Sequence, residues 1–308
     1  VFDRAGNFIS LIKADGEGPG KYLEFDDMAI VNDELLLTGV YPHRLMWFSL
    51  DGELLREEKV GDPIVSGIYS EEDRRYFFYY HFTEPGEYLV KSFNDSLDDS
   101  LVFLPFRQSD YYGNFSNREN FRKTDKIYLS RSFHDTVYVF EGRNFVPKLV
   151  FDYGEYRQRM EELARNRTNL DPLAELKFIN ERAKLYFNTH GWYITGSWLY
   201  SGFRYEKKSY NVFFNRKNRT TSVVDHTIKD DINEGFNPYS ILYSFNENKV
   251  GNKIPGRDFF EILQKKKDEL GKDGFEEYVK GKGKDFSRIA LQAKDSENPV
   301  LIVYSVKK

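Results

Sequence analysis

The sequence predicts an all-β fold built from repeated units of several short strands. A hairpin turn recurs between strand-like runs with steps of 46, 43 and 47 residues, at Gly6, Gly52, Asp95 and Gly142. A fifth copy turns near Asn218, 76 residues later, so an insertion separates it from the fourth. Repeats of about 40 to 50 residues with several strands each are typical of β-propeller blades. We therefore predict a six-bladed β-propeller with two helical insertions and an incomplete first blade.

The repeats follow one another along the chain. The first covers residues 1–12 and supplies only one hairpin, because the strands that precede the turn in later copies have no counterpart there. Repeats two to five each contain four strand-like runs, in residues 27–60, 66–106, 120–154 and 191–227. The sixth begins at 239–254 and resumes at 299–306. In each full repeat the recurring turn joins the third strand to the fourth, and Gly or Asn at its tip provides the positive φ that short hairpins require.

Two segments break the strand pattern and have apolar residues at helical spacing. They are the predicted helical insertions, at about residues 155–187 and 257–294. The first contains a helix start signal at Asp171-Pro172, and glycines divide the second into two or three short helices. Long insertions in a compact domain are usually functional, although these could instead shield a sheet edge.

The composition is that of a single globular domain over residues 1–308. Aromatic residues make up 17% of the chain, which suits sheets packed face to face. The net charge is −4 with both signs mixed along the sequence, so no basic surface for nucleic acid is predicted. No apolar run is long enough to cross a membrane. The chain contains no cysteine, which excludes disulfides, thiolate metal ligands and a cysteine nucleophile. We expect a monomer.

No motif for a cofactor, a metal or a nucleophile occurs in the sequence. The histidines are scattered, without the i, i+4 spacing of a zinc helix, at positions 43, 81, 134, 190 and 226. Paired carboxylates such as Asp98-Asp99 are adjacent, and neighbours in a strand point to opposite faces. We therefore predict no cofactor and no metal. A metal site built from one histidine per blade, and calcium near Asp225, stay open as alternatives.

Three stretches carry a resemblance to a known family. The run 16–22 (GEGPGKY), the turns FDRAGNFI and FSLDGELL, and the ending 297–304 (ENPVLIVY) resemble NHL-related six-bladed propellers that occur as predicted lipoproteins of gut anaerobes. The resemblance implies a propeller outside the cytoplasm, in the periplasm or at the cell surface, and it implies no defined reaction. Because the chain starts at Val1 within a strand, we expect a targeting segment with a lipid anchor to precede it. The missing opening strands depart from the family pattern.

Aromatic and basic residues cluster near the end of the second strand in several repeats. The candidate binding residues are Tyr41, His43, Arg44, Arg131, His134, Trp192, Trp198 and Arg204. Equivalent positions in successive blades lie on one face of the ring, so we expect them to share a rim. Exposed aromatics with Arg and His suit stacking on sugar rings or docking of a peptide. The alternative is that the aromatics pack between blades and that Arg44 pairs with a neighbouring carboxylate.

The sequence therefore predicts an extracytoplasmic binding or scaffold propeller whose ligand is a glycan or a protein. The alternative is a propeller-type glycan lyase or hydrolase with its active site in the axial funnel. A bound metal, or two carboxylates about 5 to 10 Å apart in the funnel, would favour the enzyme. A broad aromatic groove without them would favour binding.

Overall fold

A computed structural model describes residues 1–2, 8–80, 86–107, 120–131, 134–154, 185–225, 242–246 and 249–305, with single positions 174, 177 and 181. The chain divides into two compact units. The N-terminal unit is Val1–Ala183 and the C-terminal unit is Lys184–Lys308.

The N-terminal unit contains three antiparallel sheets of four strands, each paired in chain order. Sheet 1 consists of β1 (Asp27–Val31), β2 (Glu34–Val40), β3 (Arg44–Ser49) and β4 (Leu54–Lys59). Sheet 2 consists of β5 (Ile64–Ser70), β6 (Arg75–Tyr80), β7 (Tyr88–Asn94) and β8 (Ser100–Pro105). Sheet 3 consists of β9 (Phe121–Lys123), β10 (Ile127–Ser130), β11 (Thr136–Glu141) and β12 (Asn144–Val150).

The recurring hairpin turn has the predicted chemistry in sheets 1 and 3 but not in the second and fourth full repeats, where Leu97 and Arg219 take the positive φ. Asn32 and Asp33 both have positive φ, 50° and 63°, which is the turn whose twist matches the strands that it joins. The turns at Gly52 and Gly142 join the third strand to the fourth, as the repeats predicted. The equivalent turn of sheet 2 differs, because Leu97 takes the positive φ of 62° there rather than a glycine or asparagine.

The three sheets stack face to face, with their first strands in contact in the order β1, β5, β9. Side chains alternate across β6, so Tyr76 and Phe78 point towards sheet 1 while Phe77 points towards sheet 3. Tyr76 packs edge-on against Trp47 with ring centroids 6.2 Å apart. Phe77 packs against Phe140 at 4.7 Å. Sheet 2 is therefore the middle layer of the unit, with both faces buried.

The C-terminal unit contains one sheet of four strands, one of three, and a helical pair. Sheet 4 consists of β13 (Leu185–Ile194), β14 (Trp198–Tyr205), β15 (Lys208–Asn215) and β16 (Thr220–Val224). Sheet 5 consists of β17 (Leu242–Asn246), β18 (Lys249–Ile254) and β19 (Val300–Ser305). Helices α1 (Gly256–Lys280) and α2 (Lys284–Ala293) lie between β18 and β19 in the sequence, and α1 begins one residue before the predicted helical segment 257–294. Helix α1 is kinked at Gly271, where φ is 66°.

The helical pair packs on sheet 5 without interrupting its strand order. Phe259 and Phe286 meet edge-on at 4.7 Å in a cluster that also takes in Val300 and Ile302 of β19. Strand β19 pairs with β18 across the insertion, in register from Ile254 with Val300. The last strand of the chain therefore returns to the sheet that the helices leave.

The described residues test several of the architectural predictions only in part. Of the first repeat, the described residues show a bridge between Phe2 and Phe8. Most of the insertion at about 155–187 lies outside the described residues, with isolated helical positions such as Lys177. Its predicted end is wrong, because β13 begins at Leu185. The blade count of six, the closure of the ring and the single domain over 1–308 stay predictions.

Candidate functional site

The β2–β3 turn of sheet 1 presents two of the predicted residues to solvent. Tyr41 is 51% exposed, and its ring meets His43 edge-on with centroids 5.9 Å apart. A cis peptide bond joins Tyr41 to Pro42 within this turn. The backbone carbonyl of His43 accepts a hydrogen bond from the N–H of Val60, 3.2 Å away. The turn is therefore an exposed aromatic pair anchored to the connection between sheets 1 and 2.

Arg44 has a different environment from its neighbours in the sequence. Its side chain is 13% exposed, and Nη1 lies 2.9 Å from Oε2 of Glu57. The same carboxylate oxygen accepts the backbone N–H of Gly20 at 3.2 Å. Gly20 ends a loop in which Gly16 and Gly18 also have positive φ, which explains the glycine-rich run. Arg44 therefore pairs with a neighbouring carboxylate that also fastens this loop to sheet 1.

Arg131 and His134 lie together in the connection between β10 and β11. Arg131 is 6% exposed, and its Nη2 lies 3.1 Å from Nδ1 of His134. Its guanidinium carbon is 5.8 Å from the ring centroid of Tyr138. A guanidinium can only donate, so Nδ1 of His134 is the acceptor in this contact. This arginine is packed within sheet 3 rather than displayed on the surface.

The other three predicted residues are in sheet 4 of the C-terminal unit. Trp192 is buried, at 1% exposure, opposite Ser201 in the strand register. Trp198 and Arg204 are half-buried. They are six residues apart on β14, which separates their backbones by about 20 Å along the strand. Trp198 and Arg204 therefore lie at opposite ends of this sheet.

The predicted residues of the N-terminal unit share one end of the stacked sheets. The β5–β6 turn of sheet 2 and the β9–β10 and β11–β12 turns of sheet 3 border one surface pocket, so these ends coincide. The link 60–63 between β4 and β5 is short, so the end of β4 in sheet 1 and the start of β5 in sheet 2 lie at the same end of the stack. The opposite end carries the β2–β3, β6–β7 and β10–β11 connections, and we call it the loop end. Tyr41, His43, Arg131 and His134 are at the loop end.

A pocket of about 250 Å³ lies between sheets 1 and 2. Its apolar walls are Leu45, Val60, Phe78, Phe93 and Leu97. Its polar lining is Glu58, Lys59, Asp62, Tyr80 and Lys91. Asp62 follows β4, and Tyr80 ends β6. The polar part of the pocket is therefore towards the loop end.

A paired lysine dominates the electrostatics of the pocket. Lys91 Nζ lies 3.0 Å from Oδ2 of Asp62 and 3.3 Å from Oε2 of Glu87, and 5.0 Å from the ring centroid of Tyr80. Burial alone would lower the pKa of Lys91, but the hydrogen bonds and charges of Asp62 and Glu87 outweigh it and raise that pKa. Burial, with a smaller contribution from the charge of Asp62, raises the pKa of Tyr80. Lys91 is therefore charged and Tyr80 neutral near neutral pH.

The sequence analysis missed this pocket. Lys91 lies between Leu89 and Phe93, which occupy the same face of β7, so a charge interrupts an apolar strand face. That interruption was the available signal. The sheet that faces Lys91, and the contact that Asp62 makes with it from the preceding link, depend on how the sheets stack. The periodicity of a strand contains no information about that stacking.

The described part of the chain contains neither a group of metal ligands nor a membrane-spanning helix. Among those residues, no three His, Asp or Glu side chains are grouped so that they could hold a metal ion. Within the same residues, neither helix has the length and apolar character that crossing a membrane requires.

The architecture defines a mostly β protein of several four-stranded antiparallel sheets, with a propeller-like fold. Within that class the chain belongs to the family described as Domain of unknown function (DUF4934), whose model matches residues 1–305. This description does not name an NHL family. No curated protein matches the sequence.

Solved structures show where this fold recurs. A predicted exported protein from Bacteroides fragilis NCTC 9343 has a TM-score of 0.70 at 13% identity, over 99% of this chain and 84% of that one. An auxiliary nutrient binding protein from Bacteroides ovatus ATCC 8483 has a TM-score of 0.37 at 10% identity, over 77% of this chain and 54% of that one. The first similarity establishes a shared fold, whereas the second is too low to do so.

Proposed function

We propose that the protein is an extracytoplasmic binding or scaffold module, a six-bladed propeller that engages a glycan or a protein through the loop end. The observation that carries this proposal is the exposed pair of Tyr41 and His43 on the β2–β3 turn. An aromatic ring with a polar tip at the surface is suited to stacking on a sugar or to packing against a peptide. The edge-on contact with His43 limits the freedom of the Tyr41 ring before a ligand arrives.

The predicted binding residues have distinct roles in this proposal. Tyr41 and His43 contact the ligand, because they are the exposed members at the loop end. Arg44 and Arg131 act behind them as positioning residues, since both are largely enclosed by their own sheets. Trp192 contributes to the core of sheet 4 rather than to contact with a ligand.

The location outside the cytoplasm rests on two supports. The Bacteroides fragilis relative with the same fold is a predicted exported protein. The glycine-rich loop and the hairpin turns resemble those of predicted lipoproteins, which favours attachment through a lipid anchor in a segment ahead of Val1.

The test replaces the aromatic pair and measures binding. A glycan array and a screen of extracytoplasmic proteins identify a ligand for the wild-type chain, and its affinity is compared with that of Tyr41→Ala. Loss of the stacked ring should weaken binding about 3- to 10-fold. The matched control is Leu55→Ala, because Leu55 is 47% exposed on β4, towards the opposite end of the sheet.

The free energy of unfolding of both variants should be within about 0.5 kcal/mol of the wild-type value, since both side chains are exposed. Unchanged affinity in Tyr41→Ala together with weakened affinity in Leu55→Ala would place the ligand elsewhere and contradict the proposal.

A further inference from the structure

We propose that the pocket between sheets 1 and 2 binds an ammonium group carried on a short apolar stem. The site goes beyond the proposed function, because it is a pocket between two sheets and not the exposed Tyr41 turn. The chemistry it would recognise occurs both in free alkylamines and in the lysine side chain of a protein.

The shape of the pocket suits an apolar stem. Leu45 and Phe78 are buried on opposite sheets, and Phe93 and Leu97 are partly buried on the side of sheet 2. The space of about 250 Å³ between the two sheets is partly open to solvent, so a small ligand can enter it without separating the sheets. Apolar walls with a few polar groups at one end are the common construction of small-ligand sites.

The charges at the polar end favour a cation. Three carboxylates, of Glu58, Asp62 and Glu87, line the pocket or contact its lysine, against two ammonium groups, of Lys59 and Lys91. The lining itself is balanced, with two carboxylates and two ammonium groups, and Glu87 adds a third carboxylate that contacts Lys91 from beside the pocket.

Asp62 is the residue best placed to receive the ligand. It contacts Lys91 through Oδ2, and its side chain is 42% exposed. An ionised carboxylate has two oxygens and about four acceptor positions, so Asp62 can accept a second ammonium beside Lys91. Charge-assisted hydrogen bonds of this kind are stronger than neutral ones.

An anionic ligand would meet the opposite situation. Lys91 is already contacted by two carboxylates, Asp62 and Glu87. A third carboxylate would have to displace one of them, and it would face the remaining charge at close range. The pocket therefore selects against anions while it admits amines of similar size.

The experiment measures binding of three probes of equal length to the full chain by isothermal titration calorimetry and NMR. They are n-pentylamine, n-pentanol and pentanoate. We expect saturable binding of pentylamine, at least about tenfold tighter than either of the other probes. Equal binding of the three, or no saturable binding of pentylamine, would overturn the proposal.

Two variants locate the binding. Asp62→Asn should weaken pentylamine binding at least about fivefold, because it removes the charge that receives the ammonium. Asp51→Asn is the matched control, since Asp51 is an exposed carboxylate in the β3–β4 turn, and it should leave binding unchanged. Leu97→Trp tests the apolar part, because the larger ring fills the space that the stem would occupy. Undiminished binding in both Asp62→Asn and Leu97→Trp would exclude this pocket.

A final arm separates the two sources of the ammonium group. A blocked peptide with a single lysine is compared with pentylamine under the same conditions. Tighter binding of the peptide assigns the site to a protein side chain, and tighter binding of pentylamine assigns it to a free amine. Either order of affinity supports the proposed chemistry, provided that Asp62→Asn weakens both.

Discussion

The two faces of sheet 2 pack against their neighbours in different ways. Towards sheet 3, Phe77 and Phe103 interlock with Phe140 and Phe145, with ring centroids 4.7 to 5.8 Å apart across the interface. Towards sheet 1, the aromatic stack of Tyr76 and Phe78 gives way to the pocket that contains Lys91. Aromatic rings fill the interface between sheets 2 and 3, whereas the interface between sheets 1 and 2 stays partly open around a charged lysine.

The difference shows how a strand with strict alternation can serve two purposes. In β7, Val90 and Ser92 are fully buried on one face, while Lys91 and Phe93 are partly buried on the other. A lysine in a wall must keep its charge in contact with carboxylates and with water, so the sheets cannot close around it. The closed face stabilises the fold, and the open face is available for a ligand.

The largest expected effect comes from emptying the closed interface. Phe77→Ala removes a ring that is 0% exposed and in contact with Phe103, Phe140 and Phe145. Loss of a fully buried phenylalanine costs about 3 to 5 kcal/mol, through lost transfer energy and the cavity left behind. The free energy of unfolding from urea titration measures this loss.

The matched variant on the open face is Phe93→Ala. Phe93 is partly buried beside the pocket, so its removal enlarges an existing space and should cost clearly less than Phe77→Ala. Equal losses in the two variants would mean that the interfaces are packed alike, and the distinction between them would fail.

A second prediction uses acid to probe a charged cluster within sheet 2, at the end opposite the loop end. Asp95 accepts hydrogen bonds from the Tyr69 hydroxyl at 2.8 Å and from the Arg74 guanidinium at 2.6 Å. Burial alone would raise the pKa of Asp95, but these two partners outweigh it and lower the pKa below the ordinary 3.8. The unfolded chain then binds the proton more readily, so this carboxylate stabilises the fold above about pH 4 and the contribution is lost as the pH falls through the folded pKa.

Asp95→Asn should therefore flatten the acid limb of the stability profile between about pH 5 and about pH 2. Asp51→Asn, in the exposed β3–β4 turn, is the control, and it should follow the wild-type profile. If Asp95→Asn loses stability on acidification as steeply as the wild type, the partners of Asp95 do not stabilise its ionised form.

Local sequence signals predicted the hairpins and the helices, and they did so for physical reasons. Gly52 and Gly142 occupy positions with positive φ, which few other residues adopt at low cost. The segment 257–294 has apolar residues at helical spacing, and α1 and α2 cover nearly all of it. Such features depend on residues that are close in the sequence.

The environment of the candidate residues was not available from the sequence. Arg131 and Trp192 occupy aromatic and basic stretches that suggest a surface, yet both are buried. Burial depends on which sheet covers a strand, and a period of two residues gives the face but not its neighbour. Tyr41 was easier to interpret, because a residue in a tight turn next to proline is usually at the surface.

The smallest expected effect comes from removing the charge that keeps the pocket open. Lys91→Met replaces a partly buried ammonium by an apolar stem of similar length, and it leaves Asp62 and Glu87 with half-exposed carboxylates that water can solvate. The raised pKa of Lys91 shows that its ion pairs stabilise the fold at pH values below the ordinary pKa of 10.5. Relief of the desolvation of the ammonium offsets part of the loss of these ion pairs. The free energy of unfolding at neutral pH should therefore change by less than about 1 kcal/mol.

In the wild type the contribution of Lys91 should disappear as the pH rises through its folded pKa, and the variant should lack this alkaline loss. A destabilisation as large as that of Phe77→Ala would show that the lysine holds sheets 1 and 2 together, and the two interfaces would then differ in chemistry but not in their contribution to stability.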